Sequence, residues 1–112
     1  QGRLPERSRR NAVNDTACDL AVVVAILSST FDLPVNPGTC FAAEVGLSGE
    51  IRPVGRIEAR ISEAARLGYK EIYISPYNLS EDLRRTIRSS SIRIVEVPDI
   101  GALCRTLFKG GQ

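Results

Sequence analysis

The sequence predicts an α/β domain, and three observations support this. Apolar residues recur at helical spacing after Arg56, with Ile57 and Ile61 on one face. Two short stretches, EIYIS at 71–75 and SIRIVEV at 91–97, alternate between apolar and polar residues as strands do. Helix-like segments separate these strands, and helix-linked strands are candidates for parallel pairing. The predicted order of elements is αββαβαβα.

The first predicted element is a helix over residues 14–31, NDTACDLAVVVAILSSTF. Residues 14–16 carry three polar side chains that can cap it. Asp19 falls in the first turn, where the helix dipole favours an anion. Because the run is apolar nearly all round, we expect this helix to be covered on most sides. The prolines of DLPVNPG at 32–38 cannot continue a helix and end it.

A pair of strands is predicted next. TCFAAEVG at 39–46 forms the first and EIRPV at 50–54 returns as its partner. Ser48 and Gly49 lie between them as a hairpin turn, since glycine adopts backbone angles that other residues avoid. Pro53 has no N–H to donate, which suits a sheet edge or the end of a strand.

The remaining helices each have a boundary signal. One is predicted over residues 56–67, and Gly68 is a typical C-terminal stop. Ser80 is predicted to cap the short helix of SEDLRRTI, which carries acidic residues in its first turn. Asp99 is predicted to start a last helix that runs to about residue 108.

Composition is typical of an ordinary globular domain. The chain has 112 residues, 43% hydrophobic and 25% charged, which is enough for one domain with its own core. Its net charge is +2, too small by itself to indicate a polyanionic partner. Residues 1–10 carry four arginines and one glutamate, so they hold +3 and the rest sums to −1. This segment is either a solvated tail or a nucleic-acid-binding arm.

Metal-site and membrane signals are weak in this sequence. There is no histidine, and Cys18, Cys40 and Cys104 form no CxxC pair, which argues against a structural zinc site. Free thiols are typical of a reducing compartment, so we expect a cytoplasmic location. The longest apolar run, LAVVVAIL at 20–27, is far short of a membrane span, and no membrane partner is expected.

The sequence is compatible with few catalytic mechanisms that use this chain alone. Without histidine there is no Ser-His or Cys-His mechanism, and no GxxxxGK[ST] phosphate loop is present. A Ser-Lys scheme needs a lysine beside a serine, and neither Lys70 nor Lys109 lies inside a helix next to one. The hydroxyls of Ser28 and Ser29 are expected to donate to backbone carbonyls of the previous helical turn, so these serines need no catalytic role. Cys18 is interpreted as a packed small residue.

Two segments resemble the proteolytic domain of the Lon family. EVGLSGEIRPVGRIEARISEAARLGYKEIYIS matches the order of a glycine-containing hairpin, Pro-(Ile/Val)-Gly-Gly, a helix with the catalytic lysine, and a strand. NDTACDLAVVVAILSSTFDLPV resembles the segment that carries the catalytic serine. Together these matches cover about residues 14–78. The resemblance implies the Lon-type proteolytic-domain fold, a mixed sheet packed with helices.

The same resemblance implies that both catalytic positions have changed. Without gaps, the serine position falls on Ala17 and the lysine position on Arg60; a shift of one residue would place Cys18 at the serine position. Alanine has no nucleophile. Arginine keeps its proton at any working pH, so it cannot act as a general base. The Ser-Lys dyad is therefore expected to be degenerate in this chain.

A closer resemblance is to the Lon-like C-terminal domain of the RadA (Sms) family of bacterial repair and recombination proteins. EVGLSGEIRPV, RIEARISEAARLGYK and DTACDLA carry it, and members of that family lack the Ser-Lys pair. It implies that residues 14–112 are a Lon-like domain of a longer protein. The zinc of a four-cysteine motif and the ATP and Mg²⁺ of a RecA-like ATPase are expected in upstream domains, with no cofactor in this segment. Residues 1–13 depart from the family, whose members usually have strands there, and are interpreted as a truncation junction or an added segment.

The resemblance implies a non-catalytic domain that serves a hexameric ring helicase as assembly scaffold and DNA-contacting surface for branch migration. The expected ligand is single-stranded or branched DNA, and a recombinase is a further candidate partner. Two other functions stay open: a Lon-type serine peptidase, which would be an ATP-dependent hydrolase, and a protein-interaction module.

Arg52, Arg56 and Arg60 are the candidate DNA contacts, since a guanidinium donates two parallel bonds to phosphate and never deprotonates. The alternative is that they form ion pairs with the glutamates at 50, 58 and 63. The arginines at 84, 85 and 88 are interpreted as solvated surface.

Overall fold

The computed structural model describes residues 15–88 and 91–108 of the chain. The atypical segment 1–13, the cap candidate Asn14 and the lysine candidate Lys109 lie outside the described residues.

The described residues form a mixed α/β structure, which confirms the predicted fold class. In chain order the elements are α1 (Asp19–Phe31), β1 (Thr39–Ala42), β2 (Glu44–Val45), β3 (Ile51–Arg52), α2 (Ile57–Arg66), β4 (Glu71–Ile74), α3 (Glu81–Arg88), β5 (Arg93–Glu96) and α4 (Ile100–Leu107). One-turn 3-10 helices at Thr16–Cys18 and Pro76–Asn78 complete the set.

The main sheet has three parallel strands in the order β1-β4-β5, so β4 is central. Phe41 lies opposite Tyr73 in the register of β1 and β4. This confirms the parallel pairing that the helix-linked strands predicted. β2 and β3 form a separate antiparallel hairpin, in which Gly49 has a φ of 85° at the predicted turn.

Helices cover both faces of the sheet, because alternate residues of each strand point to opposite sides. On one face, Ile72 and Ile74 of β4 pack in a cluster with apolar residues of α2 and α3. On the other face, Tyr73 packs in a second cluster with residues of α1 and α4. The helical members of the two clusters are Ile57, Ile61, Ala64 and Leu83 on the first face, and Leu20, Val24, Leu103, Ile100 and Leu107 on the second.

Hydrogen bonds confirm the predicted starts of α3 and α4, whereas α1 begins at Asp19, later than predicted, after the 3-10 turn at Thr16–Cys18. The Leu83 N–H donates to Ser80 Oγ at 3.2 Å, so Ser80 caps α3. The Ala102 N–H donates to Asp99 Oδ1 at 2.8 Å, so Asp99 caps α4. Gly68 follows α2 with a φ of 95°, a conformation that glycine adopts without strain.

The predicted continuous strand over residues 39–46 is wrong, because the chain divides at Ala43. The Ala43 N–H donates to the Ala17 carbonyl at 3.2 Å, and the Ala43 carbonyl accepts from the Leu20 N–H at 3.1 Å. The start of α1 therefore takes up the backbone groups that a strand would use. Glu44–Val45 then pairs with β3 instead of continuing the main sheet.

The expectation that α1 is covered on most sides is also wrong. Leu20 and Val24 are buried, whereas Val22, Ile26 and Phe31 are 55%, 58% and 63% exposed. The sheet can cover only one face of a helix that lies on it, and no described element covers the other face. Among the described residues, no helix is both long enough and apolar enough to cross a membrane.

The C-terminal end of α1 corrects the interpretation of Ser28. Its hydroxyl donates to the Leu33 carbonyl, beyond the helix, and not to the previous turn. Asp32 ends the helix in the left-handed conformation, with a φ of 55°, and the Leu33 N–H donates to the Ser28 carbonyl at 2.9 Å. Ser28 is therefore a capping residue of α1.

Candidate nucleic-acid interface

Ala17 lies in the 3-10 turn that leads into α1 and is 4% exposed. Asp15 caps this turn, and the Ala17 N–H donates to Asp15 Oδ1 at 3.2 Å. The Ala17 carbonyl accepts from Ala43, which ties the turn to the end of β1. The backbone of Ala17 is therefore fixed on both sides by hydrogen bonds, and its side chain is only a methyl group.

Arg60 reaches the same carboxylate from α2. Its Nη2 lies 3.5 Å from Asp15 Oδ1, and its Nε donates to the Gly55 carbonyl at 3.0 Å. Ala17 and Arg60, the two positions that the Lon resemblance singled out, thus both contact one oxygen atom of Asp15. Sequence reasoning noted Asp15 as a possible cap but missed its contact with Arg60.

This cluster has no obvious route to nucleophilic catalysis. Alanine cannot attack a carbonyl, and the guanidinium of Arg60 does not release a proton. The neighbouring thiol of Cys18 lies 3.8 Å from Asp15 Oδ2, a weak contact. Partial burial raises the pKa of the Cys18 thiol, and the Asp15 carboxylate raises this pKa further, whereas Arg60 acts in the opposite direction. Cys18 is exposed, so it is not the packed residue that the sequence suggested, and its raised pKa makes it a poor nucleophile.

Alkylation of Cys18 reports on this cluster. Replacing Asp15 by asparagine keeps a capping oxygen but removes the charge that raises the thiol pKa, so Asp15→Asn should speed the reaction with iodoacetamide severalfold near pH 8. Arg60→Gln removes the opposing charge and should slow it. The rate is measured at the Cys18 peptide by mass spectrometry. Cys40 is the internal control, since burial raises its pKa to about 11 and keeps it unreactive. An unchanged rate in Asp15→Asn would show that the carboxylate does not reach the thiol.

Arg56 has an unusual backbone. It precedes α2 with a φ of 58°, in the left-handed region that favours glycine. In the Lon pattern Pro-(Ile/Val)-Gly-Gly, this position is the second glycine, and here the sequence reads Pro53-Val54-Gly55-Arg56. The side chain is exposed, and it forms no ion pair with any residue that the structure describes. A cation with a strained backbone and no ion-pair partner among residues 15–88 and 91–108 is a candidate for ligand contact.

Arg56 and Arg60 line one groove between α2 and β1, with a volume of about 430 Å³. We call it the arginine groove. Glu63 completes its polar side, and Phe41, Leu67 and Tyr69 contribute to its apolar side. The groove is open to solvent, and both arginines line it.

Arg52 is exposed on β3, opposite Glu44 in the hairpin register, and it does not line the arginine groove. The structure therefore joins two of the three candidate arginines and leaves the third on the hairpin. It also decides between candidate ion pairs, since Glu63 pairs with Arg66 while Arg60 pairs with Asp15. Glu50 instead accepts from the Ser48 N–H at 3.1 Å within the hairpin turn.

Asn78 is a positioning residue that sequence reasoning missed. Its Nδ2 donates to the Val54 carbonyl at 2.9 Å, and its Oδ1 accepts from the Val54 N–H at 3.1 Å. This double contact ties the segment before Gly55 and Arg56 to the turn that follows β4. No local pattern announces it, because the partners are 24 positions apart in the chain.

Known proteins of two descriptions match this chain. Residues 10–78 match the family model ChlI, described as subunit ChlI of Mg-chelatase. The DNA repair protein RadA of Bacillus subtilis (strain 168) is 41% identical over 98 residues, which cover 88% of this chain and 20% of that protein. RadA of Streptococcus pneumoniae is 54% identical over 68 residues, and that of Listeria monocytogenes 50% over 66. These two alignments cover 61% and 59% of this chain and 16% and 14% of the relatives. The chain thus spans at most about a fifth of the length of these relatives.

Proposed function

We propose that this chain, which belongs to the ChlI family (subunit ChlI of Mg-chelatase), is a non-catalytic, DNA-contacting module of a RadA-type DNA repair protein. The names of its relatives support the repair context. The arrangement of Asp15, Ala17 and Arg60 supports the non-catalytic part, since a methyl group and a paired guanidinium occupy the positions of the Lon-type dyad.

The proposed DNA contact rests on the exposure, backbone conformation and charge of Arg56. It is exposed, left-handed in its backbone and lacks a carboxylate partner among the described residues. Arg60 is less available than Arg56, since its Nε donates to the Gly55 carbonyl and its Nη2 lies 3.5 Å from Asp15 Oδ1, although further N–H donors of its guanidinium stay available. Phosphate contacts from arginine give affinity that does not depend on sequence and falls with salt. This suits a surface that holds DNA while another domain moves it.

The remaining parts of the proposal concern the longer protein. There, this module acts as an assembly scaffold of a hexameric ring that promotes branch migration on single-stranded or branched DNA. ATP with Mg²⁺, zinc and a recombinase partner belong to regions outside this chain. A protein-interaction module is the second candidate function, and the exposed apolar face of α1, with Val22 and Ile26, favours it.

Arg56→Gly separates DNA contact from folding. Glycine tolerates the left-handed backbone, so we expect the variant to be more stable than the wild type by about 1 kcal/mol. Binding to a labelled duplex is followed by fluorescence anisotropy at several salt concentrations. The slope of log K against log salt should become shallower by about 0.9, the loss of one phosphate contact. Arg56→Lys keeps the charge and should retain most of the slope.

Arg84→Ala is the matched control, because Arg84 is an exposed arginine on α3. It should leave affinity and salt slope unchanged. If Arg84→Ala and Arg56→Gly lowered DNA affinity equally, any surface arginine would contribute to binding, and the assignment to Arg56 would be wrong. Absence of binding to duplex, single-stranded and branched DNA by the wild type would favour the protein-interaction module.

A further inference from the structure

We propose that Tyr77 is a stacking platform for an unpaired DNA base, beside the arginines that contact phosphate. This inference rests on the proposed function and deepens it, because it names the form of DNA that the same surface selects. An aromatic ring can stack on any base whose face is free, whereas the bases of a duplex are already stacked on their neighbours. Single-stranded or branched DNA can therefore make a contact here that an intact duplex cannot.

Tyr77 presents its ring to solvent. The side chain is 80% exposed. Within residues 15–88 and 91–108, its hydroxyl takes part in no hydrogen bond and its ring in no contact with another ring. The packing of the domain thus makes little use of this side chain, so replacing it should leave the fold intact.

The turn that carries Tyr77 is firmly held. The Tyr77 N–H donates to Ser75 Oγ at 3.1 Å, and the Asn78 N–H donates to the Ser75 carbonyl at 3.0 Å. Ser75 is 0% exposed and directly follows the central strand β4. Pro76 fixes its own φ at the first position of the 3-10 turn. The backbone under the ring is therefore ordered before any ligand arrives, which lowers the entropic cost of binding.

The same turn lies beside two of the candidate phosphate contacts. Asn78, the next residue, is tied to Val54 by the two hydrogen bonds described above. Arg52 and Arg56 are both exposed, and each is two positions from Val54 in the chain. Because consecutive Cα atoms are about 3.8 Å apart, the Cα atoms of both arginines lie within about 8 Å of that of Val54. An aromatic ring and two cations thus share one end of the sheet, a combination that single-strand-binding surfaces use.

The surroundings of Tyr77 differ from those of Phe31, the other exposed aromatic residue in the part of the chain that the structure describes. Phe31 lines an apolar groove of about 290 Å³ together with Leu27 and Phe108, and an exposed apolar patch of this kind is typical of protein contacts. Tyr77 instead lies between a proline and an asparagine, near cations. This setting favours a nucleic-acid base over a protein as the partner of Tyr77.

Fluorescence anisotropy with a labelled single strand and the duplex of the same sequence tests the platform in the 112-residue chain. Tyr77→Ala should weaken single-strand binding at least about fivefold, the lower end of what one stacked base contributes. The salt slope should stay unchanged, since no cation is removed. Duplex affinity should also be unchanged, and Tyr77→Phe, which keeps the ring, should bind like the wild type. No loss on the single strand, or an equal loss on both forms, would overturn the assignment.

A fluorescent reporter at the same position gives a direct readout of stacking. The chain has no tryptophan, so Tyr77→Trp introduces a single indole. Its emission should fall when the single strand is added, because stacking on a base quenches indole fluorescence, and it should change little with duplex. Phe31→Trp is the matched control, and its emission should respond to neither form. Equal quenching at the two positions would contradict a platform at Tyr77.

The outcomes separate this inference from the function on which it rests. If duplex binding depends on Arg56 while Tyr77→Ala leaves single-strand binding intact, only the stacking platform is wrong. If the wild type binds no form of DNA, the DNA contact itself is wrong, and the platform with it. A strand of abasic nucleotides of the same length keeps the phosphates and lacks the bases. The wild type and Tyr77→Ala should bind that strand equally, and a difference between them would show that Tyr77 acts on the backbone and not on a base.

Discussion

Replacing Leu20 by alanine should lower the free energy of unfolding by about 3 kcal/mol, the largest single effect that we expect on this domain. Leu20 is 0% exposed and packs in the apolar cluster between α1 and the sheet. The substitution removes buried methyl groups and leaves a cavity, since Tyr73 is held in β4 and Ala43 is held by its backbone hydrogen bonds to the start of α1. The loss is measured by urea denaturation.

Val22→Ala is the matched control for Leu20→Ala. It lies two positions along the same helix but is 55% exposed, so it should change the free energy of unfolding by less than about 0.5 kcal/mol. Similar losses of unfolding free energy for the two variants would mean that the exposed face of α1 is buried in solution. The description of α1 as a helix covered on one face would then be wrong.

Replacing Asn78 by alanine should lower the free energy of unfolding by about 2 kcal/mol. The substitution removes two hydrogen bonds and leaves a partly buried N–H and carbonyl of Val54 unpaired. The effect should extend to function. The segment that holds Gly55 and Arg56 loses its tie to the turn after β4, so DNA affinity should fall although no cation is removed. Urea denaturation gives the first quantity, and hydrogen exchange at the Val54 amide should become faster.

Asn36→Ala provides the comparison for Asn78→Ala. Asn36 also bonds a backbone N–H, that of Gly38, but does so in an exposed loop where water can replace the side chain. Asn36→Ala should therefore lower the free energy of unfolding by less than about 1 kcal/mol. If the two asparagines cost the same and DNA affinity is unaffected in Asn78→Ala, the side chain does not position Arg56.

Most of the elements could be predicted from the sequence because their signals are local. The period of Ile57 and Ile61 predicted α2, and single residues such as Ser80 and Asp99 predicted where helices begin. The division of the strand at Ala43 could not be predicted in this way. It depends on hydrogen bonds to Ala17 and Leu20, which lie more than twenty positions earlier in the chain.

The number of buried faces of a helix also cannot be predicted from local sequence. The apolar character of α1 predicted burial on most sides, but the number of layers around a helix is a property of the whole assembly. Val22 and Ile26 have the same apolar character as the buried Val24 and differ from it only in direction. A sequence shows whether a side chain is apolar, but it does not show which element packs against that side chain.

The contacts of the candidate residues could not be predicted from the sequence. The resemblance to the Lon pattern singled out Ala17 and Arg60, and in the structure both contact Asp15 Oδ1. The partner of Arg60 was expected among nearby glutamates, whereas the fold supplies an aspartate that is 45 positions away in the sequence numbering. The left-handed backbone of Arg56 has no signal in arginine itself, and only the glycine of the Lon pattern indicates it.

The most direct test of the account is to map where DNA contacts the chain. A ¹⁵N-labelled sample is titrated with a short duplex, and amide shifts are followed by NMR at low salt. We predict that the perturbed amides cluster around Gly55, Arg56 and Arg60, and that the shifts vanish as salt is raised. Shifts confined to the arginines of α3, or no shifts at any salt concentration, would contradict the claim that the arginine groove holds DNA.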